Sequence, residues 1–379
     1  MQASIGWRLP NNQAALDKAD LDERVLAALD WIQQAHKATG QAGISKGYDL
    51  LRGRWAPAYP ETTGYSIPTL LNAAMRFDRS DFRALALSLA DFLLGSTTSE
   101  GGVVHWAEHS AGIPIVFDTG QVIFGWLAAF DASQDERYLQ AAIKSGNWLV
   151  SIQDGSGAWM RGQYLDVTKV IDTRVAWALV ELSQRAGQQV FQEAARKNLD
   201  WALKQQNTAG WFKHCAFTNE ADPFTHTLAY TAEGFFECGR LLNVSEYIEA
   251  SRRTATALLE VQRLSGALAS TYDQNWFETD RSSCLTGNCQ MSRLWLSFYE
   301  LTDDRRYFEA ALKALEFVAA TQSLQASPAE IRGAIAGSYP VYGVYERFKY
   351  PNWAAKFFID ALLMLDRINE GGKPLPFVG

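Results

Sequence analysis

A short phrase recurs along this chain at intervals of 53 to 61 residues, and no other property of the sequence restricts its fold so strongly. The clearest copy is Trp148-Leu149-Val150-Ser151-Ile152-Gln153, followed by a Gly-rich turn and Gly157-Ala158-Trp159. It returns as Trp201-Ala202-Leu203-Lys204-Gln205-Gln206 with Gly210-Trp211, and as Ala257-Leu258-Leu259-Glu260-Val261-Gln262 with Gly266. Fainter copies are anchored at Trp31, Phe92 and Phe317. A period of this length, kept from end to end, predicts repeated supersecondary units packed side by side.

Each unit reads as two helices of different character. From Ser133 to Gln153, Tyr138, Leu139, Ala142, Ile143, Trp148, Leu149 and Ile152 fall at helical spacing on one face, with Ser133 as a capping-type start. This pattern predicts an outer helix with one exposed side, whose last turn is the recurring phrase. The stretch Asp118 to Phe130 is instead apolar almost all round, as befits a helix buried by neighbours on most sides. Similar inner helices open near Glu61, Asp118, Asp172, His226, Thr286 and Asn352. Six outer and six inner helices predict an all-α fold over residues 1–379, a single α/α toroid of six helical hairpins.

Parallel inner helices bring their N-termini to one end of the ring, so those six residues are expected around one cavity. Free N–H groups and the positive ends of the helix dipoles gather there too. Asp118, Asp172, Thr286 and Asn352 are also good N-caps, and capping alone accounts for any one of them. His226 and Glu61 are poor caps. Just inside the helices stand Tyr65, Gln121, Arg174, Tyr230, Glu233, Asn288 and Gln290, polar where a core is apolar, and polar groups there are costly unless paired or facing water.

Composition narrows the partners. A net charge of −7 and a pI near 5.4 argue against a nucleic-acid or anionic-membrane surface, which needs a basic face. No apolar run approaches the roughly 18 residues of a membrane helix, so membrane insertion is not expected. Without a basic, then apolar, N-terminal stretch, a cytoplasmic location is the default, with Cys215, Cys238, Cys284 and Cys289 as reduced thiols. Neither a cofactor nor a metal is expected, since the spacing from Cys284 to Cys289 does not match a tight zinc site.

The six-hairpin pattern resembles the six-hairpin glycosidase-like superfamily and the related toroids of polysaccharide lyases, sugar epimerases and terpene cyclases. Lys144 to Gln153, with Gly157-Ala158-Trp159, is similar to the repeated Gln–Trp motif of squalene and hopene cyclases. The acidic Asp-x-Asp-Asp motif of those cyclases is absent, and Asp172-Thr173-Arg174 does not replace it. The segments Cys284 to Met291 and Tyr299 to Asp304, with Tyr339-Pro340, resemble the C-terminal toroid of glucuronyl epimerases. The glycosidase, lyase and epimerase resemblances imply a saccharide as substrate.

Two chemistries fit the rim. Asp118 and Asp172 begin adjacent inner helices, whose axes lie about 8–10 Å apart, a spacing that suits the acid and base of a glycosidase; which is which is left open, and Glu61 is a substitute partner. His226 and Tyr230, one turn apart, with Arg174, suit proton abstraction beside a uronate carboxylate, as in a lyase or epimerase. A packed, hydrogen-bonded pair is the ordinary alternative. The long segment 323–350, with Tyr339, Tyr342 and Tyr345 before Trp353, is expected to cover the ring mouth and stack on sugar rings. Arg54, Trp55 and Tyr59 form a second such segment, and Trp106, Glu108 and His109 a third. The leading expectation is a carbohydrate-active enzyme cleaving a glycosidic bond of an oligosaccharide or polysaccharide intermediate, with a lyase or epimerase second and a non-catalytic glycan-binding toroid third.

Overall fold

The two helical patterns become two concentric rings. The computed structural model describes residues 16–105, 112–219, 221–326, 328–377 and 379. Twelve α-helices lie among the described residues: α1 (Lys18–Lys37), α2 (Pro60–Phe77), α3 (Ser80–Leu94), α4 (Val116–Ser133), α5 (Glu136–Ile152), α6 (Thr173–Ala186), α7 (Gln189–Leu203), α8 (Thr225–Leu242), α9 (Ser245–Glu260), α10 (Leu285–Thr302), α11 (Arg305–Thr321) and α12 (Asn352–Asn369). The even-numbered helices pack in sequence and close, α12 against α2, into the inner ring. Each odd-numbered helix lies outside an inner one, and α1 completes the circle by packing on α12. In α5, Tyr138, Leu139, Ala142, Trp148 and Leu149 are buried while Glu136, Arg137 and Lys144 face solvent, as the single apolar face requires. No helix among the described residues is long and apolar enough to cross a membrane.

The short turns lie elsewhere than the repeat phrase implies. Inner helices pass to the following outer ones through two-residue turns whose first member, Asp78, Gln134, Gly187, Asn243 or Asp303, is left-handed. The outer-to-inner connections that contain the phrase are long, and all emerge at the inner helices' N-termini. Ser133 is not the cap of α5 but the last residue of α4; Asp135 takes the cap, accepting from Arg137 N–H.

The phrase itself joins outer helices to one another. The Nε2 of Gln262 donates to the carbonyls of Gly266 and of Ala310 in α11, both at 2.9 Å. Gln153 likewise ties Gly157 to Ala194 in α7, and Gln206 ties Gly210 to Ala250 in α9. Gln322 ties Gly333 to Arg24 in α1, which extends the series around the ring. The Phe92 copy has no such glutamine, and there Ser145 Oγ in α5 donates to Gly101 O at 2.6 Å.

Glycine is required beside each glutamine because the turn runs against the next helix. Gly266 has φ +88°, and a Cβ there would lie 2.1 Å from the carbonyl oxygen of Lys313. Gly266→Ala is therefore expected to lower the unfolding free energy by more than about 1 kcal/mol. Gly155→Ala, with nothing within 4 Å, should leave the denaturant midpoint unchanged. Equal midpoints for the two variants would refute this account.

Short strands, unforeseen from the repeats, brace the connections. The strands β1 (Gly47–Asp49), β2 (Arg54–Trp55) and β5 (Lys349–Pro351) form an antiparallel sheet in the order β2-β1-β5, and β3 (Ser283–Cys284) pairs with β4 (Ser338–Tyr339). The last long connection is thus pinned to the first.

Candidate active site

The inner N-termini and the long connections enclose a chamber of about 320 Å³ at one end of the ring. Glu61, Asp118, His226 and Trp353 reach it from the first turns of α2, α4, α8 and α12, and Tyr65 and Tyr230 form part of its lining one turn deeper. The connections add Lys46, Tyr59, His105, Gln163, Tyr164, Lys169 and Tyr345. A second chamber of about 820 Å³ adjoins it and shares Lys46, Tyr59, Tyr164, Glu346 and Trp353.

Capping does not explain the polar residues of the rim. The cap positions of the inner helices are held by Tyr59, Ile115, Asp172, Phe224, Cys284 and Pro351. Only Asp172 is among the expected caps, and its side chain makes no capping bond. Asp118, third in its helix, points its carboxylate at His105 instead: Oδ2 lies 2.6 Å from Nδ1.

Tyr59 neighbours both carboxyls. Its hydroxyl is 3.3 Å from His105 Nδ1, the atom that also meets Asp118, and it lies near enough to Glu61 to affect that group's proton affinity. Burial pushes the Glu61 carboxyl up to about 8, and the nearby charge of Asp118 adds to the shift. Burial raises Asp118 as well, but there the His105 hydrogen bond opposes it. Of the two, Glu61 is the group kept protonated and Asp118 the one equipped with a hydrogen-bonded imidazole.

His226 faces the same chamber. Its Nδ1 is 2.7 Å from Gln290 Oε1, an acceptor, so the imidazole carries its proton there and keeps a lone pair on Nε2. Burial pushes its pKa down to about 3, which keeps it neutral. The ring lies 4.3 Å from that of Tyr230, and burial pushes the Tyr230 hydroxyl far above its usual range.

Several expected site residues stand elsewhere. Asp172 does not line the chamber; Gln163, Lys169 and Ile171 do. Its Oδ2 accepts from Gln163 Nε2 at 2.7 Å, its Oδ1 has no hydrogen-bond partner among the described residues, and burial pushes it up to about 7. Arg174 lies buried off the chamber and not within it. Its Nε donates to Gln121 at 2.7 Å, it is ion-paired with Glu233, and its guanidinium lies 5.0 to 5.6 Å from the rings of Phe124, Trp177, Tyr230 and Phe357. Gln121, Arg174 and Glu233 thus bond to one another across α4, α6 and α8, outside the chamber's lining. Asn288 bonds to Leu268, Ser283 and Cys284, and Gln290 reaches the site only through His226.

Arg54 and Trp55 line the outer chamber. Tyr345 lines the inner one and accepts from Trp353 Nε1 at 2.9 Å. Tyr339 packs edge-on against Phe317 and Tyr342 is 48% exposed, neither lining a chamber. Trp106, with Glu108 and His109, lies outside the described residues. Lys46, His105, Gln163, Tyr164 and Lys169 escaped notice because they sit in aperiodic connections. Their one signal is placement in outer-to-inner segments, which all open on the same end.

Comparisons with known proteins agree with this architecture. Residues 67–249 match the model of the squalene-hopene cyclase C-terminal domain. No curated protein matches the sequence. Among solved structures, an unsaturated glucuronyl hydrolase specific for heparin is 15% identical, with TM-score 0.75 over 93% of this chain and 99% of its own. A sugar epimerase from a ruminal bacterium is 12% identical, with TM-score 0.74 over 94% and 99%. Cellobiose 2-epimerase from Bacillus thermoamylovorans is 10% identical, with TM-score 0.72 over 91% and 98%. At these identities the likeness establishes the fold.

Proposed function

We propose that this six-hairpin α/α toroid is a carbohydrate-active enzyme that cleaves a glycosidic bond with Glu61 as general acid and Asp118 as general base. The observation that carries the reading is the unequal environment of two carboxyl groups in one chamber. Pairs whose surroundings push their proton affinities apart divide acid from base work. Glu61 gives its proton to the leaving glycosidic oxygen as the C–O bond breaks. Asp118, oriented by His105, takes a proton from the water whose oxygen forms the new bond at the anomeric carbon. Exchange with solvent water returns a proton to Glu61 and removes one from Asp118 before the next turnover. Asp172, outside the lining, has no direct part here, and its place in the pair passes to Glu61. Aromatic side chains around both chambers suit the apolar faces of sugar rings, and the saccharide enzymes of like fold support a sugar substrate.

A specific observation favours a second reading. His226 presents its Nε2 lone pair to the chamber, the placement a lyase or epimerase requires of the base that removes a carbon-bound proton, and a ligand whose charge relieves the burial that holds its pKa down would raise its basicity.

Products distinguish these chemistries. With a panel of oligosaccharides, hydrolysis yields new reducing ends, elimination yields a product absorbing in the near ultraviolet, and epimerisation in D2O incorporates deuterium without cleavage. If only deuterium or ultraviolet absorbance appears, the hydrolytic reading fails. Because the active acid must hold its proton, kcat/KM is expected to fall about tenfold per pH unit above pH about 8, the value to which Glu61 is pushed. A rate that still climbs between pH 8 and 10 would remove Glu61 from the acid role.

A further inference from the structure

The outer chamber carries an excess of positive charge, part of which, Lys46, is shared with the inner chamber. Its lining holds four cations, Lys46, Arg52, Arg54 and Lys349, against two carboxylates, Asp49 and Glu346, an excess of 4 − 2 = 2 in a protein whose net charge is −7. Both carboxylates are taken: Asp49 pairs with Arg52 at 3.7 Å and Glu346 with Lys349 at 3.1 Å. Asp49 stands opposite Arg54 in the β1–β2 ladder, yet its oxygens bond to Arg52. Among the described residues no carboxylate comes within ion-pair distance of Lys46 or Arg54.

The fold fixes where these two cations sit. Arg54 is held on the β2-β1-β5 sheet, whose tie to the last connection makes this wall. Lys46, just before β1, lies at the junction of the chambers, its ammonium 5.3 Å from the centre of the Tyr59 ring and 5.7 Å from that of Trp353. A cation held against two ring faces stays available to a ligand while being kept in place. Lys46 thus lines both chambers, and Arg54 the outer one alone.

We propose that Lys46 and Arg54 form a subsite for an anionic group, a carboxylate or a sulfate ester, on the sugar unit next to the one held in the inner chamber. The proposal rests on the saccharide reading above and adds the class of sugar. An anion within reach of these cations gains charge-assisted hydrogen bonds, and a neutral hexose gains none of comparable strength.

Calorimetric titration of the full chain carrying Glu61→Gln, in which turnover is slowed, tests this with three disaccharides. They differ only in the second unit: a neutral hexose, the corresponding hexuronate, or the hexose 6-sulfate. At least one acidic disaccharide is expected to bind about 10-fold more tightly than the neutral one, and which of them does so identifies the group. The preference should shrink with added salt and fall to within about twofold when Lys46→Gln and Arg54→Gln are added together. Equal affinity for all three, or a preference that survives the double substitution, overturns the proposal while leaving the saccharide reading intact. If none of the three binds, both are overturned.

Discussion

Glu61→Gln and Asp118→Asn are each expected to lower kcat by about 10²- to 10⁴-fold, the range that general acid and base groups contribute. Both substitutions keep the volume of the side chain and remove only its proton chemistry, so circular dichroism and unfolding should report an intact fold. The glutamine variant carries a second signature. In the folded protein Glu61 keeps its proton to about 8, whereas in the unfolded chain a glutamate releases it near 4.5. The folded form therefore binds more protons between these values, and stability falls as pH rises through that window. Glu61→Gln removes this dependence, so the variant should gain stability relative to the parent as pH is raised from 5 to 9. Retention of full activity by both variants would end the carboxylate reading. Loss of activity in His226→Gln with little change in Glu61→Gln would transfer the chemistry to the imidazole.

Arg174→Met is expected to cost about 3–5 kcal/mol of stability, the usual penalty for removing one partner of a buried ion pair. The guanidinium is fully buried, so its loss leaves Gln121 Oε1 without its donor and Glu233 with Arg293 alone. It also removes the cation packed among four aromatic rings, which no methionine replaces in charge. Arg174→Lys should recover only part of the loss, because an ammonium cannot reach Gln121 and Glu233 with the same fork. Chemical denaturation reads the difference. A shift below about 1 kcal/mol would show that the network beside the chamber does not hold the ring together.

The register of the fold is written in the recurring phrase, and the reason is physical. Gln153, Gln206, Gln262 and Gln322 each bridge two carbonyls on neighbouring units, so the same residue is needed at the same place in each. The general location of the site follows from that register, since parallel inner helices put their starts at one end. The individual roles do not. Asp118 and Asp172 look equivalent by phrase, but one is the third residue of its helix and the other sits at a cap position. That offset of three positions changes the facing by only about 60° but shifts the carboxylate about 4.5 Å along the helix axis, and there Asp172 is held by Gln163 Nε2 behind the chamber wall. Arg174 and Glu233 are polar in the inner helices because they pair with each other, a pairing 59 residues apart that no local pattern reveals. Lys46 and His105 belong to connections shaped by strand pairing and turns, where hydrophobic period carries no information.

Closure of α1 onto α12, with Gln322 bound to the Arg24 carbonyl, leaves the stack of helix pairs without a free edge. In an open array the outermost units lose a neighbour on one side and melt first. Here every unit is flanked on both sides, so loosening any one joint exposes apolar surface on two others. The architecture thus trades gradual fraying for all-or-none behaviour. The rim that carries the carboxyls is thus built on a ring in which every helix pair has a neighbour on each side.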